Sequence, residues 1–336
     1  MELTVSHLEA AGLGAQLDAI EDAVGTHLEG THANVAIVSE PYAGRSVLLS
    51  RGEETLGAAA GHVAFEEPVT DPEALEFPNR EVVFVEGCHY LYERRVDGFD
   101  ALDAFLERTA EADALFVTAW NRWAWDYLAA VRDVDRAFPV QLEIPRLEPE
   151  AITGLVREHV DDLPAFVESR ESGRVKYVDV GTATVGSVAG RDVRVPVPEF
   201  NVEYVTALDL GDEYGDVERV VYERLARLAE GNPGVALELW ADAAADGEIS
   251  PAELDERDDP LQLDDDEAFA LTTVLCKERL SYDALDRLLD DVDVARAVQT
   301  LAYHDLVTVD DDDVVSVTPE RFHAAVEHLE GRRYLW

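Results

Sequence analysis

Four short apolar runs, each ending in polar or turn-forming residues, alternate with helical patterns in the first 150 residues. The runs cover residues 34–38, 82–85, 114–118 and 138–144. Strands that are apolar along their whole length lie in sheets covered on both faces, and helices between such strands give a parallel arrangement. We therefore expect residues 1–150 to form an α/β domain with a three-layer parallel sheet.

The pattern changes after residue 150. Residues 152–166 predict an amphipathic helix interrupted by Pro164, and residues 217–229 predict another. Between them, residues 175–205 are rich in glycine and small or β-branched residues, which is typical of a hairpin. We expect residues 151–258 to form a helical lid with a β-hairpin insertion. The acidic stretch 242–259 is the predicted linker.

The last segment, residues 259–336, shows three helical patterns followed by two short apolar strands. The helical patterns cover residues 263–279, 282–289 and 294–304. The strands cover residues 306–309 and 314–317, on either side of four consecutive aspartates. Three helices followed by a hairpin predict a C-terminal winged helix-turn-helix.

The chain is strongly acidic, with 72 Asp and Glu against 27 Lys and Arg and a formal net charge of −45. Only Lys176 and Lys277 are lysines. At molar salt the Debye length falls to ~3 Å, which screens repulsion between surface carboxylates. This composition resembles the proteins of salt-in halophilic archaea. The acidity therefore indicates habitat and does not identify a partner.

Three absences predict a cytoplasmic location. The first residues lack a basic and apolar leader, and no apolar run is long enough to cross a bilayer. The two cysteines, Cys88 and Cys276, do not make a disulfide framework. No membrane insertion is expected, and no Cys/His cluster has the spacing of a zinc site.

The loop after the first apolar run has the form of a phosphate cradle. The standard pattern of a phosphate-binding loop is G-x-x-x-x-G-K-[ST], in which backbone amides at a helix N-terminus hold phosphates. Gly44 and Ser46 match, whereas Ser39 and Arg45 replace the first glycine and the lysine. The candidate phosphate-contacting residues are Ser39, Glu40, Pro41, Tyr42, Ala43, Gly44, Arg45 and Ser46.

Polar residues also follow the next two apolar runs. Glu86 ends the second run and, with Ser46, is a candidate Mg²⁺ ligand. Asn121 follows the third run and is a candidate sensor of a terminal phosphate, and His89 is a candidate polarising group. The alternatives are that Glu86 caps a turn, that Asn121 simply forms a turn, and that His89 packs behind the sheet.

Together these segments resemble the AAA+/STAND branch of P-loop ATPases that carry a C-terminal winged helix, with degenerate motifs. Residues 35–46 resemble the Walker A segment, residues 82–86 Walker B, residues 117–121 sensor 1, and residues 231–233 the GxP motif. The resemblance implies binding of ATP or ADP with Mg²⁺, to which Asn232 and Pro233 would contribute. It points to a haloarchaeal family of such proteins.

The departures from these motifs concern hydrolysis. Gly87 stands where hydrolysing relatives place a catalytic acid, and Arg45 supplies a planar cation in place of a compact ammonium. We expect a regulatory switch that binds nucleotide and is at most a slow ATPase. Changing Arg45 to Lys and Gly87 to Glu is expected to raise turnover if the scaffold is otherwise competent.

Two other functions remain open. One is a pseudo-ATPase scaffold that binds only protein, with the winged helix and the hairpin as docking surfaces. The other is a DNA-binding regulator, as a similarity to archaeal initiator ATPases would imply. Carboxylates at residues 310–313 would repel DNA phosphates, and only Arg296, Gln299 and His304 are candidate contacts on the third helix. A protein partner is therefore favoured over DNA.

The sequence also leaves open whether the chain forms an oligomer. Arg94 and Arg95 are candidate arginine fingers toward a neighbouring subunit, since such fingers act in trans on a phosphate. The alternative is that they form ordinary surface ion pairs with some of the many carboxylates.

Overall fold

The N-terminal domain is built on a five-stranded parallel sheet. Its strands are β1 (Val35–Ser39), β2 (Ala60–Ala64), β3 (Val82–Glu86), β4 (Leu115–Asn121) and β5 (Val140–Glu143). They lie in the order β2-β3-β4-β1-β5. The computed structural model describes residues 13–160, 163–167, 178–188, 191–200, 213–245, 247–254 and 261–335.

Helices cover both faces of this sheet. They are α1 (Gly14–Leu28), α2 (Arg45–Leu56), α3 (Asp100–Glu111) and α4 (Arg122–Arg132). Side chains alternate along β1: Val35 and Ile37 belong to one core with residues of α1 and α2, whereas Ala36 and Val38 belong to a second core with residues of α3 and α4. The predicted three-layer α/β domain is confirmed.

The middle of the chain forms the helical lid. It contains α5 (Pro149–His159), β6 (Ala165–Phe166), β7 (Val178–Val188), β8 (Arg191–Phe200), α6 (Glu213–Ala229), α7 (Pro233–Ala243) and β9 (Glu248–Ile249). β7 and β8 pair as an antiparallel hairpin, which confirms the predicted insertion. The rings of Tyr222 and Trp240 stack between α6 and α7 with centroids 5.3 Å apart.

Two predictions for this region need correction. The helix expected over residues 152–166 ends at His159, and residues 165–166 instead pair with β9. Pro164 disfavours helical geometry at the residue before it, so a helix could not have continued through this point. The predicted linker contains β9 and a 3₁₀ turn at Pro251–Leu254. Residues 255–260 lie outside the described residues.

The C-terminal residues form the predicted winged helix. Its elements are α8 (Asp265–Lys277), β10 (Arg279–Ser281), α9 (Tyr282–Leu288), α10 (Val294–Tyr303), β11 (Val307–Val309), β12 (Val314–Val317) and α11 (Phe322–Gly331). β12 pairs with both β10 and β11 in an antiparallel sheet. α8 begins with a capping box of Asp264 and Glu267. Within the described residues, no helix is long and apolar enough to cross a membrane.

The winged helix contacts the N-terminal domain near the carboxyl ends of β1, β3 and β4. The Tyr90 hydroxyl donates a hydrogen bond to Arg279 O at 2.7 Å, and the Tyr42 hydroxyl donates to Val317 O. The ring of Phe322 packs edge-on against Tyr42, with centroids 5.7 Å apart. This edge is where the sequence predicts the phosphate cradle.

Candidate functional site

The predicted cradle has strand–loop–helix geometry. β1 ends at the buried Ser39, and α2 begins at Arg45. Gly44 has a left-handed backbone with φ of 91°, a conformation that suits glycine. The amides of Val47 and Leu48 donate to Gly44 O at 3.2 and 3.3 Å and close the first turn of the helix. The segment therefore has the strand, loop and helix order of the motif.

Arg45 points into the site, and its side chain is only 8% exposed. Its Nη1 lies 3.4 Å from both the carbonyl and the hydroxyl oxygen of Ser39. Its Nη2 forms an ion pair with the carboxylate of Glu278, at the end of α8. The cation predicted to hold phosphate thus holds a carboxylate of the winged helix.

Asn121 binds the same carboxylate. Its Nδ2 donates to Glu278 Oε1 and to Leu275 O, both at 2.9 Å. Its Oδ1 accepts from the amides of Trp123 and Ala124 and caps α4. The structure therefore brings together the predicted phosphate-binding cation and the predicted phosphate sensor around one anion, supplied by the chain itself.

Glu278 is ionised at this position. Burial acts to raise the pKa of its carboxyl, but the charge of Arg45 and the hydrogen bonds from Arg45 and Asn121 outweigh burial and lower the pKa to about 2. Sequence reasoning missed Glu278, because no local motif distinguishes it from the chain's many other carboxylates.

His89 and Lys277 lie beside this cluster. Burial lowers the pKa of His89 to about 3, so its imidazole is neutral near pH 7. Burial also lowers the pKa of Lys277, to about 7. Lys277 Nζ donates to the carbonyl oxygens of His89 and Tyr92, and lies 3.6 Å from the centroid of the Tyr92 ring. His89 is buried, and a catalytic role for it stays a prediction.

The predicted metal-binding pair lies at the solvent-exposed side of the site. Ser46 Oγ donates to Glu86 Oε1. The imidazole of His62, on β2, lies 4.0 Å from Glu86 Oε2 and 3.1 Å from Glu53 Oε2. No group of three or more His, Cys, Asp or Glu side chains suited to a metal occurs in the part of the chain that the structure describes. Binding of Mg²⁺ by Ser46 and Glu86 stays a prediction.

Gly87 is required by the backbone. Its φ is +71°, and a Cβ at this position would lie 2.0 Å from the carbonyl oxygen of Phe65. A glutamate at residue 87 would clash with this main-chain atom and could not take the place of a catalytic acid. The structure therefore gives no support to the expectation that Gly87→Glu raises turnover.

The Asn232-Pro233 motif reaches the cradle. Asn232 Oδ1 accepts from Val235 N and caps α7, while its Nδ2 donates to Pro41 O at 2.8 Å. Gly234 N donates to Tyr42 O at 3.0 Å. The start of α7 thus lies directly against the loop.

The remaining loop residues have structural contacts. Glu40 forms an ion pair with Arg146 at 3.0 Å, and Ala43 is buried in the core. Tyr42 has a positive φ of 66° and faces the winged helix. Pro41 is also buried.

The cations proposed for other partners are paired within the chain. On the third winged-helix helix, Arg296 binds carboxylates of Asp264 at 2.9 Å and Glu267 at 3.2 Å. Arg94 lies over the Tyr127 ring, with its Cζ 4.7 Å from the centroid, and Arg95 forms an ion pair with Glu93. The remaining DNA-contact candidates are Gln299, which is exposed, and His304, which is partly buried.

Comparisons with solved structures find distant similarities. The chain is 12% identical to the RuvB Holliday junction branch migration motor of Thermotoga maritima, over 91% of this chain and 92% of that one, with a TM-score of 0.40. It is 13% identical to the Orc1 protein of Aeropyrum pernix in complex with DNA, over 96% and 92%, with a TM-score of 0.42. It is 11% identical to Cdc6p from Pyrobaculum aerophilum, over 95% and 94%, with a TM-score of 0.38. No family model matches the chain, and no curated protein is significantly similar to it.

Proposed function

We propose that the chain is a regulatory switch of the AAA+/STAND type that binds ATP or ADP with Mg²⁺ and couples this site to its winged helix. One observation carries the proposal: Arg45 and Asn121, from two separate elements, converge on a single anion. Donors that bind carboxylate oxygens also suit phosphate oxygens, because both are charged acceptors of similar hydrogen-bond geometry. The donor set therefore fits a phosphate group.

The loop amides at the start of α2 and the Arg45 guanidinium would hold the phosphates. Ser46 and Glu86 would hold Mg²⁺, directly or through water, and a bound Mg²⁺ would neutralise phosphate charge. Glu86 would also orient Ser46, whose hydroxyl already donates to it.

Hydrolysis by the isolated chain should be weak or absent. Residue 87 has no side chain to orient water and has no space for one. The loss of one well-placed electrostatic contact typically costs ~10²–10³ in rate. The chain would therefore act through binding.

The test is calorimetry and thermal melting of the full chain in molar KCl with ATP, ADP and Mg²⁺. We expect binding by the wild type and its loss in Arg45→Ala. Arg51→Ala, in the same helix, is the matched control: its side chain is 42% exposed and pairs with Glu54, and the variant should bind normally. Absence of heat and of any melting shift at millimolar nucleotide, in both the wild type and Glu278→Gln, would reject the proposal.

A second function is favoured by the same site. In a scaffold that binds only protein, Glu278 would satisfy Arg45 and Asn121 permanently, and the winged helix and hairpin would be docking surfaces. DNA binding is less favoured, because Arg296 is already paired and the wing carries four aspartates. For either function we also propose a halophilic setting, which the acidic composition supports, and a cytoplasmic location.

A further inference from the structure

Glu278 occupies a position that is locally unfavourable for a glutamate. It caps the C-terminus of α8 with φ of 67° and ψ of −49°, a sparsely populated region for any residue with a Cβ. A positive φ is usually taken by glycine, and the negative end of the helix dipole disfavours an anion. Burial disfavours its charge as well. Contacts outside the helix must therefore stabilise this carboxylate.

Those contacts come from the two residues proposed to bind phosphate. One carboxylate oxygen pairs with Arg45 and the other accepts from Asn121. Arg45 lies 233 residues before Glu278 in the chain, so the ion pair joins the P-loop to the winged helix. The carboxylate stands in the place proposed for a phosphate.

The carboxylate leaves donor capacity in the site unused. Within the described residues, Arg45 Nε is a buried donor with no hydrogen-bond partner. A carboxylate offers two oxygens, whereas a terminal phosphate offers three strong acceptors. A phosphate can therefore satisfy this site more completely than Glu278 does.

We infer that Glu278 competes with a nucleotide phosphate for Arg45 and Asn121. Either the Glu278 carboxylate of the winged helix or the phosphate binds these two residues, but not both at once. This inference rests on the proposed nucleotide binding and names its regulation. Because coupling between two binding events is reciprocal, nucleotide binding weakens the contact of the winged helix, and that contact weakens nucleotide binding.

The decisive comparison is the affinity for Mg·ATP of the wild type, Glu278→Gln and Glu327→Gln, measured by calorimetry in molar KCl. Glu278→Gln keeps the shape and removes the charge, and it should bind roughly 5- to 150-fold more tightly than the wild type, the usual range of coupling. Glu327, an exposed carboxylate of α11, is the matched control and should leave affinity unchanged.

A second measurement uses only the wild type, in case Glu278→Gln does not fold. Saturating Mg·ATP should raise amide hydrogen exchange over residues 275–281, because their contact with the cradle is released. Equal affinities for the wild type and Glu278→Gln, or unchanged exchange at saturation, would overturn the competition and leave nucleotide binding intact. No binding by any variant would overturn both proposals.

Discussion

Arg45, in the predicted phosphate cradle, and Arg296, in the winged helix, are both cations that the sequence analysis assigns to phosphate contacts. Both bind carboxylates of the chain itself. Arg45 is 8% exposed and pairs with one distant residue, Glu278. Arg296 is 46% exposed and pairs with carboxylates at the start of α8, in the same domain.

The difference in exposure indicates different roles. An exposed ion pair contributes little to stability and is screened by salt, which matters for a chain suited to high salt. A buried pair is strongly coupled, because removing one partner leaves an unpaired charge in a poorly solvated place. The Arg45–Glu278 pair therefore can link domain contact to ligand binding, whereas the Arg296 pairs act locally.

The largest expected effect is that of Arg45→Ala. The change leaves the Glu278 carboxylate without its cation, and we expect a loss of about 3 kcal/mol in the free energy of unfolding. Chemical denaturation in molar KCl measures this, with Arg51→Ala as the control, expected within about 0.5 kcal/mol of the wild type. A similar small loss for both variants would show that the Arg45 pair is no stronger than a surface pair.

Glu278→Gln tests the charge within the same pair. The neutral amide keeps the shape but loses a charged hydrogen bond, at a cost of about 2 kcal/mol at neutral pH. Because the folded-state pKa is lowered from 4.5 to about 2, this stabilisation is fully present above pH 4.5 and is lost as the pH falls through 2.

The stability difference between the wild type and Glu278→Gln should therefore narrow in acid. Unfolding free energies measured from about pH 6 down to pH 3 give the comparison over this range. A difference that stays constant over this range would show that Glu278 is not stabilised as an anion.

Lys277 tests the other side of the domain contact. Lys277→Met fills similar space but leaves two buried carbonyl oxygens, those of His89 and Tyr92, without a donor. We expect a loss of about 1–2 kcal/mol in unfolding free energy. Arg279→Met, nearby and exposed, is the control and should have little effect. Equal losses of unfolding free energy in Lys277→Met and Arg279→Met would indicate that water takes over the hydrogen bonds of the Lys277 ammonium without loss of stability.

The sheet could be predicted where both faces are buried. β1, β3 and β4 are buried along almost their whole length and have continuous apolar runs. The edge strand β5 alternates half-buried and exposed residues, and the other edge strand, β2, was missed. β2 pairs only with β3 at the sheet edge, and only its first two residues, Ala60 and Gly61, are buried. Its sequence therefore carries no apolar run. Because β2 was not predicted, His62 was not identified as a residue near the site.

The site was predictable only where local motifs mark it. Arg45 and Asn121 follow buried strands, which predicts that they lie at one edge of the sheet. Glu278 lies 157 residues from Asn121, and its position depends on how the domains pack. Gly87 shows the converse limit: the sequence reveals a missing side chain, but only the structure reveals that Phe65 O occupies its space.

The smallest expected effect is that of Arg296→Ala. Because its ion pairs are exposed and screened by salt, we expect a loss below about 1 kcal/mol in unfolding free energy in molar KCl. Nucleotide affinity should not change, since Arg296 does not contact the cradle. Melting and calorimetry alongside Arg45→Ala give the comparison directly. A loss of stability as large as that of Arg45→Ala would show that burial does not distinguish the two arginines. If the wild type retains DNA and Arg296→Ala retains it less well, the DNA-binding alternative would be favoured.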